Sequence, residues 1–502
     1  MVENSNDKIG IYIFRRDLRL DDNYALNMLI KKVDIIIPIF LLDEHQIIKT
    51  NKNKYHFSSN VIQFMVESLN NLNTYLEKKN SKLRLFYGKP ENLIENIIKW
   101  IKLYLQPECT KITIGFNEDF SIYAKERDKN IRHICEKNNI SIITSPDDLT
   151  LIPLDHICRS KPDGFKQYGA FFKQTLKYKV ENPQPLPHKV VFLSADIQIT
   201  KEFKINHLQK FYIPNPNLAQ NGGRQIALNK LKNLYKFDTY EINRNTLSYT
   251  TTNLSAYLNF GCISIRETYF ALKNTLNKKA YVIIKQLFWR DFYLQALRFL
   301  PNGAAYHHMN QAYDKLKWND NPKKDWLKLI NSQTGFLIID AGMKEMIVSG
   351  YMHNRARMLV GMFWTKYLLI NIFNKKYGSQ SGFSSYLVDA IGCSQNKMNH
   401  QWITEFDYPG KKYSAPNAKL SGRPMDISNN MIKKFDPDCI YIKKWLPHLA
   451  DVDNKDLIKW NCDIANKYNN IHPPPIFNAK EKYNEIANSI VLEAKFYRNK
   501  QK

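Results

Sequence analysis

Asn354, Arg357 and Met358, in the run MHNRARM at 352–358, are the residues whose types and spacing most directly suggest chemistry. At helical spacing the three share roughly one face, and Arg355 points elsewhere. An amide, a guanidinium and a soft apolar side chain on one face suit a planar, polar-edged cofactor with a substrate beyond it. An amphipathic helix with two solvated arginines explains the same residues, so the motif alone does not decide. A second helix must precede this one. TGFLIIDAGMKEMIVSG at 334–350 turns Ile338, Ile339, Met343 and Met346 toward a core, and Gly350 separates the two helices.

A chain of 502 residues exceeds one ordinary core, which implies two domains. Its 73 basic and 47 acidic residues leave a formal charge of +26. Such an excess favours a polyanion, nucleic acid first and an anionic membrane second, although a solvated basic surface accounts for part of it. Seven cysteines without a C-x-x-C pair argue against zinc, an iron–sulfur cluster or a disulfide framework, and for a reducing compartment. The first ten residues are polar and lead into a strand, so no secretory signal is visible, and no apolar run reaches membrane-spanning length. The expectation is a soluble intracellular monomer that binds neither metal nor membrane. Nucleus and cytoplasm are not distinguished.

The positioning elements fall into two kinds. Near-continuous apolar runs at 9–14, 33–43, 83–88, 111–116 and 140–144 read as strands buried on both faces, with helices over about 56–79, 91–104 and 119–137. This predicts a doubly wound parallel α/β domain over 1–145. No G-x-G-x-x-G follows the first strand. RRDLRLDDN at 15–23 stands there instead, either as a salt-bridged strand-to-helix connection or as a wall of the cleft at the sheet's carboxyl edge. Residues 146–220, with prolines clustered at 183–187 and 214–216, read as a long interdomain linker. Within it, FKQYGAFFKQTLK at 165–177 interleaves basic and aromatic residues, which a packed amphipathic helix explains. From 221 to 502 the spacing is helical, over 222–237, 254–277, 280–299, 325–331, 338–348, 352–371 and 384–391, with a basic helix in the last 20 residues.

TTTNLS at 250–255 sets hydroxyls and an amide before a helix starting near Leu254. The group is either an ordinary cap or a pyrophosphate seat at the positive end of a helix dipole. This run, with QLFWRDFY at 286–293, IIDAGMKEM at 338–346, MHNRARM, KFDPDCIYIKKWLPHL at 434–449 and IFRRDLRLDDN at 13–23, resembles the DNA photolyase/cryptochrome family from about residue 8 to 460. The resemblance implies FAD in the helical domain and a folate or deazaflavin antenna in the α/β domain. It implies ultraviolet-damaged DNA as partner and light-driven repair, closest in motif to cyclobutane pyrimidine dimer photolyases.

By the same resemblance Thr251, Thr252, Leu254 and Ser255 match the phosphate-binding segment, with Asn253 where a basic residue is often found. Tyr240 lies toward the flavin and Arg244 toward DNA phosphate. Asn354 and Arg357 lie beside the ring, Asp389 accepts a hydrogen bond from its polar edge, and Asn396, or else Asn399, faces its N5. Trp289 and Trp402 flank the extruded dimer, and Met358 packs on it. Arg355 and Arg423, with Lys443 and Lys444, meet phosphates and make binding steeply salt-dependent. Of three relay tryptophans only the outer one is matched, by Trp318. Ile372 and His400 stand in the other two places, which predicts slow photoreduction.

Gln286 stands where cyclobutane-dimer enzymes usually have glutamate, and resembles the (6-4) enzymes and animal cryptochromes. The (6-4) enzymes use a histidine pair where this chain has Asn354 and Met358, which favours the cyclobutane lesion. A cryptochrome-like blue-light receptor and a (6-4) photolyase are the alternatives. A non-catalytic nucleic-acid-binding protein is the rival from another class.

Overall fold

The computed structural model describes residues 8–47, 57–105, 111–165, 167–299, 317–371, 373, 374, 376–378, 382–389, 427 and 430–486. Five strands, β1 (Ile9–Phe14), β2 (Ile35–Leu42), β3 (Arg84–Tyr87), β4 (Ile112–Asn117) and β5 (Ser141–Ser145), form one sheet in the order β3-β2-β1-β4-β5. Every pairing is parallel. The helices Tyr24–Ile30, Ser59–Glu77, Pro90–Tyr104 and Ile122–Lys137 make the crossovers. Every residue of β1 is buried, as a strand covered on both faces must be. Its period-two alternation sends Ile9, Ile11 and Ile13 into one core, and Tyr12 and Phe14 into another. That second core continues without a break into Tyr257, Phe260, Leu287 and Phe292, so the sheet's inner face is also the floor of the helical half.

A single helix over 254–277 is not what forms. Gly261 ends Ser255–Phe260 in a left-handed conformation, φ +66°, and Ser264 starts Ile265–Leu276 with a capping box closed by Glu267. A side chain at 261 would put its Cβ 2.0 Å from the Arg16 carbonyl oxygen. The break lets the chain turn against β1's exit, where Leu18 N donates to Phe260 O at 3.2 Å. Of the helical spacing expected over 384–391, the described residues form a helix over Phe383–Tyr386, and Asp389 lies in the turn that follows. The connection after β5 is laid on the sheet: Leu193 N donates to Ile36 O at 2.8 Å and Phe203 N to Leu85 O at 2.6 Å.

RRDLRLDDN combines both of its expected roles. Asn23 caps the first helix by accepting from Leu26 N. Arg15 pairs with Asp128 at 2.8 Å, and Arg19 with Asp148 at 2.7 Å. Asp17 stays within the α/β half, accepting from Tyr12 Oη at 2.5 Å and Asn117 Nδ2 at 2.7 Å, and three other charges reach across to the helical half. Asp22 pairs with Arg266 at 2.9 Å, Asp21 with Arg224 at 3.0 Å, and Arg16 Nε donates to Asn259 O at 2.8 Å. No described helix is long and apolar enough to cross a membrane.

Candidate cofactor and substrate site

A pair of packed helices sets one wall, the second and the turn before it lining the cavity and the first backing them. Leu337–Ser349 buries Ile338, Ile339, Met343 and Met346 and ends at Gly350, φ +67°. Asn354–Met362 then opens on His353, whose Nδ1 accepts from Arg355 N at 3.1 Å. Burial, with Arg355 and Arg357 nearby, lowers the His353 imidazole to about 4. It stays neutral and keeps its capping nitrogen free of a proton. A cavity opens against this wall. Tyr240, Arg244, Thr251, Thr252, Leu254, Ser255, Gln286, Asn354, Arg355, Arg357 and Asp389 all line it.

Arg357 is held at three points. Its Nε donates to Met352 O at 2.7 Å, Nη1 to Asp389 Oδ1 at 3.0 Å, and Nη2 to Asp389 Oδ2 at 2.9 Å. Ser255 Oγ donates to the same Oδ2 at 2.7 Å. The fork-shaped pair fixes the guanidinium plane, and the carboxylate raises the arginine's pKa against the cost of burial. Asp389 Oδ1 accepts one bond here, which leaves it capacity for a ligand donor. Tyr351 extends the wall, with its hydroxyl 3.2 Å from Thr251 Oγ1 and its ring 5.5 Å from the Arg357 guanidinium carbon. The hydroxyls of TTTNLS do not cap the next helix, which begins without a side-chain cap. At six residues that helix is also too short to supply the dipole its expected length implied.

Several expected positions change. Arg355 lines the cavity instead of pointing away, because its long side chain bends back. Its Nε and Nη2 donate to Asn245 Oδ1 at 2.9 and 2.6 Å, and its Nη1 lies 2.9 Å from Met358 Sδ. Met358 and Trp289 are not among the lining residues. Gln286 lines the cavity, but its amide donates to Val282 O at 3.3 Å in its own helix. Trp318 lies in a separate cleft with Lys324, Lys328 and Phe477. Asn396, Asn399, His400, Trp402, Arg423 and Ile372, and residues 487–502 of the basic tail, lie outside the described residues.

The sequence reading missed Tyr351 and the group beneath it. Glu345 Oε2 accepts from Tyr441 Oη at 2.6 Å and from His353 N at 2.9 Å. Burial pushes the Glu345 carboxyl up to about 7, despite these bonds and Arg357 nearby. Only the position of Glu345 eight residues before His353, across the break at Gly350, hinted at this, and Tyr441 is 96 residues away. The folded protein holds this proton more tightly than the unfolded chain does. Its contribution is whole below pH 4.5 and is lost as pH rises through about 7. In denaturant unfolding across that window, wild type should lose on the order of 3 kcal/mol relative to Glu345→Gln. Parallel pH profiles for the two proteins would exclude the shifted carboxyl.

Two polar atoms of lining residues, Arg244 Nε and Asn253 Oδ1, are buried without a hydrogen-bond partner among the described residues. A polar ligand fits, since buried groups of this kind are almost always satisfied. A second cavity sits at the carboxyl ends of β1 and β2, lined by Arg15, Arg16, Phe40, Tyr123 and Arg127.

A parallel α/β half locked onto a helical half that encloses a polar, arginine-bearing cavity has the build of a nucleotide-cofactor protein. A model of DNA photolyase matches residues 10–189, and a model of the FAD binding domain of DNA photolyase matches 283–491. Deoxyribodipyrimidine photo-lyase of Buchnera aphidicola is 28% identical over 94% of this chain and 95% of the relative. Cryptochrome DASH of Danio rerio is 26% identical over 95% and 92%. The photolyase of Sulfolobus tokodaii, whose structure holds two FAD molecules, aligns with TM-score 0.77 and 28% identity over 96% of this chain and 99% of that one. A Synechocystis cryptochrome shares the fold, with TM-score 0.80 at 21% identity. The chain belongs to the DNA photolyase/cryptochrome family. It carries that family's FAD-binding domain, and FAD is its cofactor.

Proposed function

We propose that this protein repairs cyclobutane pyrimidine dimers in DNA with light. The observation that carries the reading is the buried Arg357–Asp389 pair in the wall of one cavity that Tyr240, Arg244, Thr251 and Asn354 also line. When bound and reduced, FAD supplies the excited electron that opens the dimer ring and takes it back afterwards. Arg357 presents a fixed positive charge in a low-dielectric wall, so a negatively charged ring is favoured beside it. Asp389 holds that charge in place and keeps acceptor capacity for a donor on the ring's edge. Thr251 and Thr252 offer hydroxyls to the phosphates, while Ser255 in the same segment spends its hydroxyl on Asp389 and Leu254 packs beneath. Asn354 and Asn396, or Asn399 in place of the latter, bring amides to the ring.

Trp289 and Trp402 flank the extruded dimer, with Met358 and Gln286 at its edges. Arg244, Arg355 and Arg423 meet DNA phosphate, and Trp318 is the outer electron-entry residue. The second cavity is the place for an antenna. A folate or deazaflavin suits it, and the two FAD molecules of the Sulfolobus tokodaii protein add a flavin to the candidates.

A cryptochrome-like photosensor is the second reading. It is favoured by Gln286, whose amide is directed to its own helix. The two readings separate on the lesion wall. Trp289→Ala should weaken binding of dimer-containing DNA by about 1–3 kcal/mol, the worth of one base–aromatic stack, with flavin content unchanged. Met358→Ala should likewise impair repair more than flavin content. Full repair by Trp289→Ala would remove the proposed wall.

A further inference from the structure

The basic–aromatic run at 165–177 is not used by the cavity, yet it touches the lesion wall. The Tyr168–Thr175 helix lies against Tyr281–Phe299, and the Tyr168 ring stacks on Trp289 with centroids 3.6 Å apart and planes 6° apart. The Tyr168 hydroxyl donates to Lys285 O at 3.0 Å, one turn before Trp289 on the same helix. Phe172 continues the stack, 5.6 Å from Tyr168 at 16°, and the Lys285 ammonium lies 5.5 Å from the Phe172 ring. Tyr168 is thus tied to the helix of Trp289 at both its ring and its hydroxyl. Burial raises the hydroxyl's pKa, so it remains a donor at physiological pH.

At 100° per residue, Trp289 lies about 60° round the helix from the cavity-lining Gln286. It therefore occupies the seam between cavity and connection. A centroid separation of 3.6 Å is van der Waals contact and leaves no space for a base on that face of the indole. The Tyr293 ring lies 5.9 Å from the indole at 21° and the Phe292 ring 5.7 Å at 88°, so what remains for a base is the part of the other face and edge that these two rings leave.

We propose that Tyr168 is a positioning residue of the lesion site: it closes one face of Trp289 and fixes the indole plane, so that an extruded pyrimidine has a single preset surface to stack on. The inference rests on the proposed binding of damaged DNA. A rigid indole avoids the ordering cost that a free one would meet on binding. The connection between the two halves then contributes directly to recognition.

The test measures holoprotein affinity for dimer-containing and undamaged duplexes, with flavin content, for wild type, Tyr168→Ala, Tyr168→Phe and Trp289→Ala. Tyr168→Ala should bind the dimer roughly two- to tenfold more weakly, the worth of one aromatic pair, with undamaged-DNA affinity and flavin content retained. Tyr168→Phe, which keeps the stack and loses only the hydroxyl, should recover most of the difference. Wild-type dimer affinity in Tyr168→Ala beside a weakened Trp289→Ala would overturn the proposal and leave the functional reading standing. Equal losses on damaged and undamaged DNA, without rescue by phenylalanine, would reduce Tyr168 to a packing residue. A wild-type protein with no preference for dimers would overturn both.

Discussion

Asp389→Asn should yield a protein that is destabilised by about 3–5 kcal/mol and purifies with little flavin. Asp389 and Arg357 are 4% and 3% exposed, so the pair is out of water. Asparagine keeps the size of the side chain and removes the charge. Arg357 would then stand buried with Met352 O as its principal remaining fixed acceptor. Removing one partner of a buried pair costs far more than the pair contributes, because the surviving charge is left uncompensated. The cavity wall moves with it, since Ser255 also bonds Asp389. Flavin absorbance per protein and the unfolding midpoint both report the change. A variant with full flavin and a midpoint like wild type would show that the pair does not organise the wall.

The second large effect lies away from the cavity. Asp22→Asn should cost about 3–5 kcal/mol as well, although it touches no lining residue. Asp22 and Arg266 are 0% and 1% exposed. Arg19 and Arg266 share Asp148, at 2.7 and 3.7 Å. Two arginines then face two carboxylates at the junction of the halves, and the substitution leaves two against one. Asparagine is the informative replacement because Asp22 has φ +49°, a conformation it tolerates. Adding Arg266→Met should recover much of the loss, since an apolar side chain leaves no orphaned charge. A lowered thermal midpoint in the single variant, restored in the double, is the expected result. A single variant within about 0.5 kcal/mol of wild type, the range of an ordinary surface change, would mean the junction does not depend on this pair.

The α/β half was legible because its strands are unbroken apolar runs, and such runs have few other places to go than a doubly covered sheet. The helical half was legible in its spacing and less so in its ends. Gly261 looked like one residue of a longer helix, and only its close approach to the Arg16 carbonyl shows why it must be a turn. Helical spacing put Asn354 and Arg357 on one face, and both line the cavity; it turned Arg355 away, whereas Arg355 lines the cavity too and Met358 does not. Periodicity gives the direction of the Cα–Cβ bond, and a long arginine can reach back round the helix. The partnership of Glu345 with Tyr441 spans 96 residues and left no local signature. RRDLRLDDN read as either a salt-bridged connection or a cleft wall, and Arg15 and Arg16 serve as both.

The most direct measurement is lesion disappearance from two oligonucleotides, one holding a cyclobutane thymine dimer and one a (6-4) photoproduct. Each is incubated with the flavin-reduced protein under blue light and in the dark. Loss of the cyclobutane dimer in the light alone, with the (6-4) product left intact, is the predicted outcome. A flavin-loaded protein that leaves the dimer untouched in the light, or that clears the (6-4) product instead, would contradict the account.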